Sequence, residues 1–263
     1  MGQIFTTQVT KIKNNKKFTT DDTVIREVKL EININGKHIV SLMATPTDLK
    51  ELSVGYLISE GIIEKVSDIT KFEITDIDTK IYKADIKATI NEANSDKLNT
   101  EGVIVSGCGR GESTHISLKS IEAKVMQDDF HIDAALLFKE MSEFYTQCPL
   151  YEQTGCVHTA KIHIDDTTYF IGEDIAQHNT IDKAVGKALL AGHNVHRAFL
   201  MVSGRLSSEM VAKAVMHQIP ILASRTASTC RGVNIANKFG LTLIGFVRGE
   251  GMNIYRNPER IHV

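Results

Sequence analysis

The carboxyl-terminal third alternates strand and helix, and this alternation narrows the possible folds more than any other feature of the chain. Ala198 to Val202 reads as a strand, Ser208 to His217 as a helix and Ile219 to Ala223 as a strand; Thr229 to Lys238 follows as a helix and Leu241 to Val247 as a strand. The strand segments are apolar at successive positions, as in Phe199-Leu200-Met201-Val202, which calls for burial of both faces. Such strands, separated by helices, predict an α/β fold with a mainly parallel sheet covered by helices. Ligands of sheets of this kind bind at the carboxyl ends of the strands.

Upstream, the pattern is less regular. Apolar and polar residues alternate from about Val24 to Ala44 around Asn35-Gly36, a dipeptide that favours a type I′ turn, and this predicts a hairpin. Thr45-Pro46-Thr47-Asp48 reads as a helix cap with proline at the first helical position, and Leu49, Leu52, Tyr56 and Leu57 share one face before Gly61 ends the helix. Two short strands follow within residues 67–98, with a polar linker from Asn91 to Asn99. Asp133 is placed to cap a helix carrying Leu136, Leu137, Met141 and Phe144. Strand-like runs from His158 to Ile164 and from Thr168 to Ile171 flank Asp165-Asp166, and Asn179 or Thr180 is placed to cap a helix that stops at Gly192. The chain thus divides into an α+β amino-terminal lobe (1–100), a mobile connection (101–130) and an α/β domain (131–263).

Composition excludes several classes of function. A net charge of −2 offers no field for nucleic acid, and the absence of Trp argues against base-stacking platforms; the lysines at 16 and 17 read as a solvated, frayed terminus. No run approaches the roughly 18 apolar residues of a membrane helix, and the polar start does not resemble a secretory signal, so the expectation is a cytoplasmic protein. The cysteines at 108, 148, 156 and 230 form no C-x-x-C pair and no zinc-finger spacing, so reduced thiols and no structural metal are expected.

The chemistry is expected first at Ser106-Gly107-Cys108-Gly109-Arg110-Gly111. Three glycines leave Cys108 little surrounding bulk, and Arg110 favours the thiolate, the nucleophilic form. The alternative is a small buried thiol in a turn. A second group of candidates stands at the strand ends. Ser203-Gly204-Arg205 precedes a helix whose first amides can hold a phosphate, Ser224-Arg225-Thr226 repeats the pattern one strand on, and Phe246-Val247-Arg248-Gly249-Glu250-Gly251 combines an aromatic face, a cation and close backbone approach. None is a Walker loop or a dinucleotide fingerprint. Glu173-Asp174 with His178 reads either as an acid-base or metal set or as hydrogen-bonding struts at a helix entry. His158 is placed to face a ligand, and His163 reads as solvated.

Taken together, these segments resemble the FdhD/NarQ family of formate dehydrogenase accessory sulfurtransferases. The resemblance rests on Ala44-Thr45-Pro46 with Gly55-Tyr56-Leu57 and Ser59-Glu60-Gly61-Ile62-Ile63, on Thr154-Gly155 with Val157-His158, and on Glu173-Asp174 with His178-Asn179 and Asp182-Lys183. Ser203-Gly204-Arg205, Gly245-Phe246 with Arg248-Gly249, and Pro258-Glu259-Arg260-Ile261 complete it. It implies a three-layer, cytidine-deaminase-like main domain, often paired as a homodimer. It also implies a function: sulfur is taken from a cysteine desulfurase as a Cys108 persulfide and passed to the molybdenum or tungsten bis(molybdopterin guanine dinucleotide) cofactor of formate dehydrogenase. On that resemblance Phe246 to Gly251 would bind the cofactor, helped by Ser203 to Arg205, Arg225, His158 and His178, and guanine nucleotides would mimic it. Gly111 stands where the family usually has a second cysteine, so no loop disulfide can form. That departure leaves a second reading open, a cofactor-binding chaperone without sulfur transfer. A zinc deaminase, suggested by the implied fold, lacks its ligand patterns.

Overall fold

A computed structural model describes residues 2–91 and 125–263. Cys108, its loop and most of the predicted connection lie outside the described residues. The chain opens with a ribbon of two antiparallel strands, β1 (Ile4–Lys13) and β2 (Lys16–Ile25), joined by Asn14 and Asn15 at φ 51° and 59°. Two successive residues with positive φ make the type I′ turn whose twist matches paired strands. The predicted frayed terminus is therefore a hairpin. It is mostly exposed on both faces, so it carries little of the apolar alternation by which a strand is recognised.

The predicted Asn-Gly hairpin is present as β3 (Val28–Ile34) and β4 (Lys37–Ala44). With β5 (Ile69–Asp76) and β6 (Ile81–Ala88) it forms a sheet ordered β4-β3-β6-β5, in which β3 and β6 run parallel. Helix α1 (Leu49–Ser59) closes a core that includes Leu30, Ile32, Leu42, Leu52, Leu57 and Ile86. It begins later than the Thr-Pro signal predicts, because Thr45 is occupied elsewhere: its amide and hydroxyl both donate to the Asp174 carboxylate. Gly61, at φ 68°, ends the helix as expected.

The second half is built on a six-stranded sheet ordered β13-β12-β11-β10-β8-β9. Its strands are β8 (His158–His163), β9 (Tyr169–Asp174), β10 (Phe199–Val202), β11 (Ile221–Ser224), β12 (Thr242–Arg248) and β13 (Gly251–Arg256). The expectation of a mainly parallel sheet holds at the centre, where β10, β11 and β12 run parallel. It fails at both margins, where β8 pairs antiparallel with β10, and where the short connections β8–β9 and β12–β13 each make an antiparallel pair. A further pair, β7 (Ile132–Asp133) and β14 (Ile261–His262), ties the carboxyl terminus to the start of α2 (Ala134–Ser142).

Strand alternation sorts the core into two layers. Leu200, Val202, Leu222 and Leu243 pack with α4 (Gln177–Leu190), α5 (Ser208–Met216) and α6 (Cys230–Phe239) through Val185, Val211 and Phe239. Phe199, Met201, Ile221, Ala223 and Ile244 pack on the other face with Leu137 and Met141 of α2 and with Phe144. Each central strand is thus covered on both faces, which is why its sequence is apolar throughout.

Two glycines join the halves. A Cβ on Gly55 of α1 would lie 2.1 Å from the Asp182 carbonyl oxygen of α4, and one on Gly186 of α4 would lie 2.1 Å from the Glu51 carbonyl oxygen of α1. The helices therefore cross backbone to backbone, which only residues without side chains permit. Helix α4 starts before the predicted Asn179 or Thr180 cap. Asp174 accepts from the Ala176 amide at 2.9 Å and from Asn179 Nδ2 at 3.0 Å, so the carboxylate caps the helix from the preceding strand. Among the described residues no helix is long and apolar enough to cross a membrane.

Candidate functional site

Three loops leave the carboxyl ends of the parallel strands β10, β11 and β12, and polar contacts bind them to one another. Ser224 Oγ donates to the Gly204 carbonyl at 2.7 Å, and Gln177 Nε2 donates to the Arg205 carbonyl at 2.7 Å. Gly204 leaves room for this contact, since a Cβ there would lie 2.4 Å from the Gln177 carboxamide and displace that side chain. One loop further on, the Phe246 amide donates to the Thr226 carbonyl at 3.1 Å and Arg248 Nε to the Arg225 carbonyl at 3.0 Å. Ser203–Arg205, Ser224–Thr226 and Phe246–Arg248, chosen from separate stretches of sequence, thus meet along one edge. Gly249 at φ 57° and Glu250 make the tight turn into β13, with Arg248 and Gly251 paired across it.

Side chains on this edge differ in what they offer. Arg205 and Arg248 are exposed and Arg225 is half-buried, and none of the three is ion-paired to a described carboxylate. Cations that no described carboxylate neutralises favour an anionic ligand. Phe246, at φ 54°, holds a bulky side chain in the left-handed region and stays 39% exposed. Such backbone strain gathers at functional sites. Val247 instead turns into the core with Ile244, so at that position only backbone faces the edge.

His158 lies beside the first of these loops. Its Nδ1 lies 3.3 Å from Ser203 Oγ, which also accepts from the Thr159 amide at 3.0 Å. Enclosure of the ring keeps its pKa below the ordinary histidine value, against the pull of Asp174. His178 stands at the entry of α4 with Nε2 3.1 Å from Glu209 Oε2. Burial, with the charges of Lys213 and His158, pushes its pKa down to about 4, so the neutral ring donates a hydrogen bond there.

The acidic pair is structural. Asp174 forms a fully buried pair with Lys183 at 2.6 Å, and Lys183 also donates to Thr45 Oγ1 at 2.6 Å. Glu173 accepts from the Leu150 and Tyr151 amides at the start of α3 (Pro149–Thr154), and burial raises its pKa. Asp182 pairs with Lys213 at 2.8 Å and accepts from Ser59, so the Asp182-Lys183 motif anchors two buried ion pairs. Among the described residues no group of three His, Cys, Asp or Glu side chains is placed to hold a metal ion.

His163 is not solvated. It is 4% exposed, stacks on Phe199 with centroids 4.7 Å apart and contacts Glu140, which also takes the buried Lys161. Its position on β8, two residues from Lys161, places both on the face covered by α2, a placement that depends on the sheet rather than on local sequence. Sequence reasoning also passed over Tyr145 and Tyr151. Their rings stack at 4.4 Å, and the Arg225 guanidinium lies 5.3 Å from the Tyr145 centroid. Cys148 is buried beside them, with its thiol pKa pushed up to about 11 by burial. Cys156 and Cys230 are exposed. Two clefts, of about 330 and 440 Å³, open elsewhere, one beside His163 and His262 and one beside Asp48 and Glu173; the strand-end loops line neither.

Comparison with known proteins identifies the family. The sequence model of the FdhD/NarQ family matches residues 25–262. The sulfur carrier protein FdhD of Wolinella succinogenes is 39% identical over 241 residues, which cover 92% of this chain and 83% of that protein. The sulfur carrier protein FdhD of Shouchella clausii is 30% identical over 258 residues, 97% and 96% of the two chains. A crystal structure from Desulfotalea psychrophila, described provisionally as a formate dehydrogenase accessory protein, superposes with a TM-score of 0.78 at 27% identity, covering 99% of this chain and 100% of that one.

Proposed function

The chain belongs to the FdhD/NarQ family, and from that premise we propose that it is a sulfurtransferase that carries sulfur to formate dehydrogenase. The Cys108 thiolate attacks the outer sulfur of a desulfurase persulfide, the sulfur–sulfur bond there breaks, and the desulfurase leaves as a thiolate. Cys108 then bears the persulfide; its sulfur–sulfur bond breaks, the Cys108 thiolate is released, and the outer sulfur passes at the sulfane level to the molybdenum or tungsten bis-guanine-dinucleotide cofactor, the cargo, whose reduced metal supplies the two electrons that make it a sulfide. A persulfide needs one thiol, so Gly111 in place of a second cysteine leaves the relay intact. The same reading takes the second half as a cytidine-deaminase-like cofactor domain (131–263), the first as a supporting lobe (1–100) and residues 101–130 as the sulfur-bearing connection. It also takes the protein as a cytoplasmic homodimer.

One observation supports the cofactor part most directly. Arg205, Arg225 and Arg248 stand on adjacent strand-end loops without ion pairs to described carboxylates. Diphosphates of a guanine dinucleotide supply the missing anions, and arginine binds them through paired N–H groups. The relay is tested by incubating the chain with a cysteine desulfurase and cysteine, alkylating, and mapping persulfide by mass spectrometry. The label is expected on Cys108 and absent from Cys108→Ser. Equal labelling of both proteins refutes the relay and leaves the chaperone reading, in which Cys108→Ser still supports formate dehydrogenase activity.

A further inference from the structure

We propose that Tyr145 is a positioning residue that presents the Arg225 guanidinium as a flat surface for a nucleobase, so that this part of the edge reads the base rather than the phosphates. The proposal rests on the nucleotide-binding part of the function proposed above. A chain of contacts carries it. Glu173 is buried and its two oxygens accept from Leu150 and Tyr151 amides at 3.2 and 2.7 Å, which fixes the first turn of α3 and with it Tyr151. Tyr151 stacks on Tyr145 at 4.4 Å and an interplanar angle of 28°. Phe144, fully buried, meets the Tyr145 ring edge-on at 5.3 Å. Tyr145 is thus held on two sides, and the guanidinium of Arg225 lies over it, 5.3 Å from the ring centroid.

Arginine carries a long flexible stem, and an unheld guanidinium loses rotamer freedom when it binds. Contact with the Tyr145 ring removes part of that cost in advance. A guanidinium lying on one aromatic ring offers its opposite face to another, and its edge to anions. The neighbouring loop repeats the device. Arg248 lies 5.7 Å from the Phe246 centroid and donates to the Arg225 carbonyl, so two cation–ring pairs stand side by side. Phe246 is held outward at positive φ, a conformation that bulky residues adopt rarely. Among the described residues Arg205 makes no such ring contact, which suits it to phosphate. Cation–ring pairs beside a guanidinium with no described carboxylate partner fit a planar heterocycle that carries a diphosphate.

The test is titration of GDP and of inorganic pyrophosphate into the full chain and into Tyr145→Phe, Tyr145→Leu and Arg225→Lys, with melting curves to confirm folding. Wild type is expected to bind GDP more tightly than pyrophosphate, and Tyr145→Phe to match it within about twofold. Tyr145→Leu loses roughly five- to tenfold in GDP affinity with pyrophosphate affinity unchanged, the size of one cation–ring contact. Arg225→Lys keeps the charge and loses the plane, so it shows the same base-selective loss if Tyr145→Leu fails to fold. Unchanged GDP binding in the folded variants, or equal loss for both ligands, overturns the role given to Tyr145 while the nucleotide site stands. A wild-type chain that binds neither ligand overturns the nucleotide reading and this proposal with it.

Discussion

Removing Asp174 tests how the two halves are held together. Its carboxylate is fully buried and accepts from the Thr45 amide at 3.0 Å, the Thr45 hydroxyl at 3.1 Å, the Ala176 amide at 2.9 Å and Asn179 Nδ2 at 3.0 Å, besides the Lys183 ammonium at 2.6 Å. Asp174→Ala leaves Lys183 charged at zero exposure and takes the partner from two backbone amides. Loss of one member of a buried pair costs about 3–5 kcal/mol, against a total stability of about 5–15 kcal/mol for a folded domain. For a chain of this size that is a fall in melting temperature of roughly 6–20 °C. Lys183→Met in the same chain removes the stranded charge, so the double variant is expected to recover about 2 kcal/mol relative to the sum of the single changes. The orphaned amides of Thr45 and Ala176 remain, so recovery is incomplete. Urea unfolding followed by far-ultraviolet circular dichroism reads all four proteins, the chain having no tryptophan. Additivity within about 0.5 kcal/mol refutes the reasoning, because it means that the pair carries no coupling.

Two further outcomes follow from the site's surroundings. Iodoacetamide at pH 8 is expected to label exposed Cys156 and Cys230 in the folded protein and to spare Cys148, whose thiol is buried, donates to the Phe144 carbonyl and has its pKa pushed up to about 11; peptide mapping that finds Cys148 alkylated before unfolding contradicts this. His178 titrates at about 4 in the fold and near 6.5 in an unfolded chain, so between those values the unfolded state binds the proton and stability falls as pH falls. Partial exposure of the ring screens the effect. His178→Gln is expected to show a shallower fall than wild type in denaturation midpoints measured from pH 7 to pH 4, and parallel curves contradict the assignment.

The central layers were legible in sequence for a simple reason. Strands β10, β11 and β12 are covered on both faces, so burial writes itself into consecutive apolar residues, and the turn at Asn35-Gly36 needs backbone angles that few residue pairs adopt. The β1–β2 ribbon is mostly exposed and left little trace. The start of α1 was misplaced because Thr45, a good local cap, spends its amide and hydroxyl on a carboxylate 129 positions away.

For the candidate site, residue types and strand ends were readable locally: Ser203 to Arg205, Arg225, Phe246 to Gly251 and the thiol at Cys108 carry their chemistry in the side chain or the glycine beside it. What local sequence does not hold is partnership between distant segments. That Glu173 braces Tyr151, that Tyr151 and Tyr145 carry Arg225, and that His163 is buried against Glu140 rather than solvated are products of sheet order and helix crossing. Backbone periodicity follows from burial and so can be read along the chain; the pairing of charges and rings across the fold follows from which elements pack together, and is fixed only when they do.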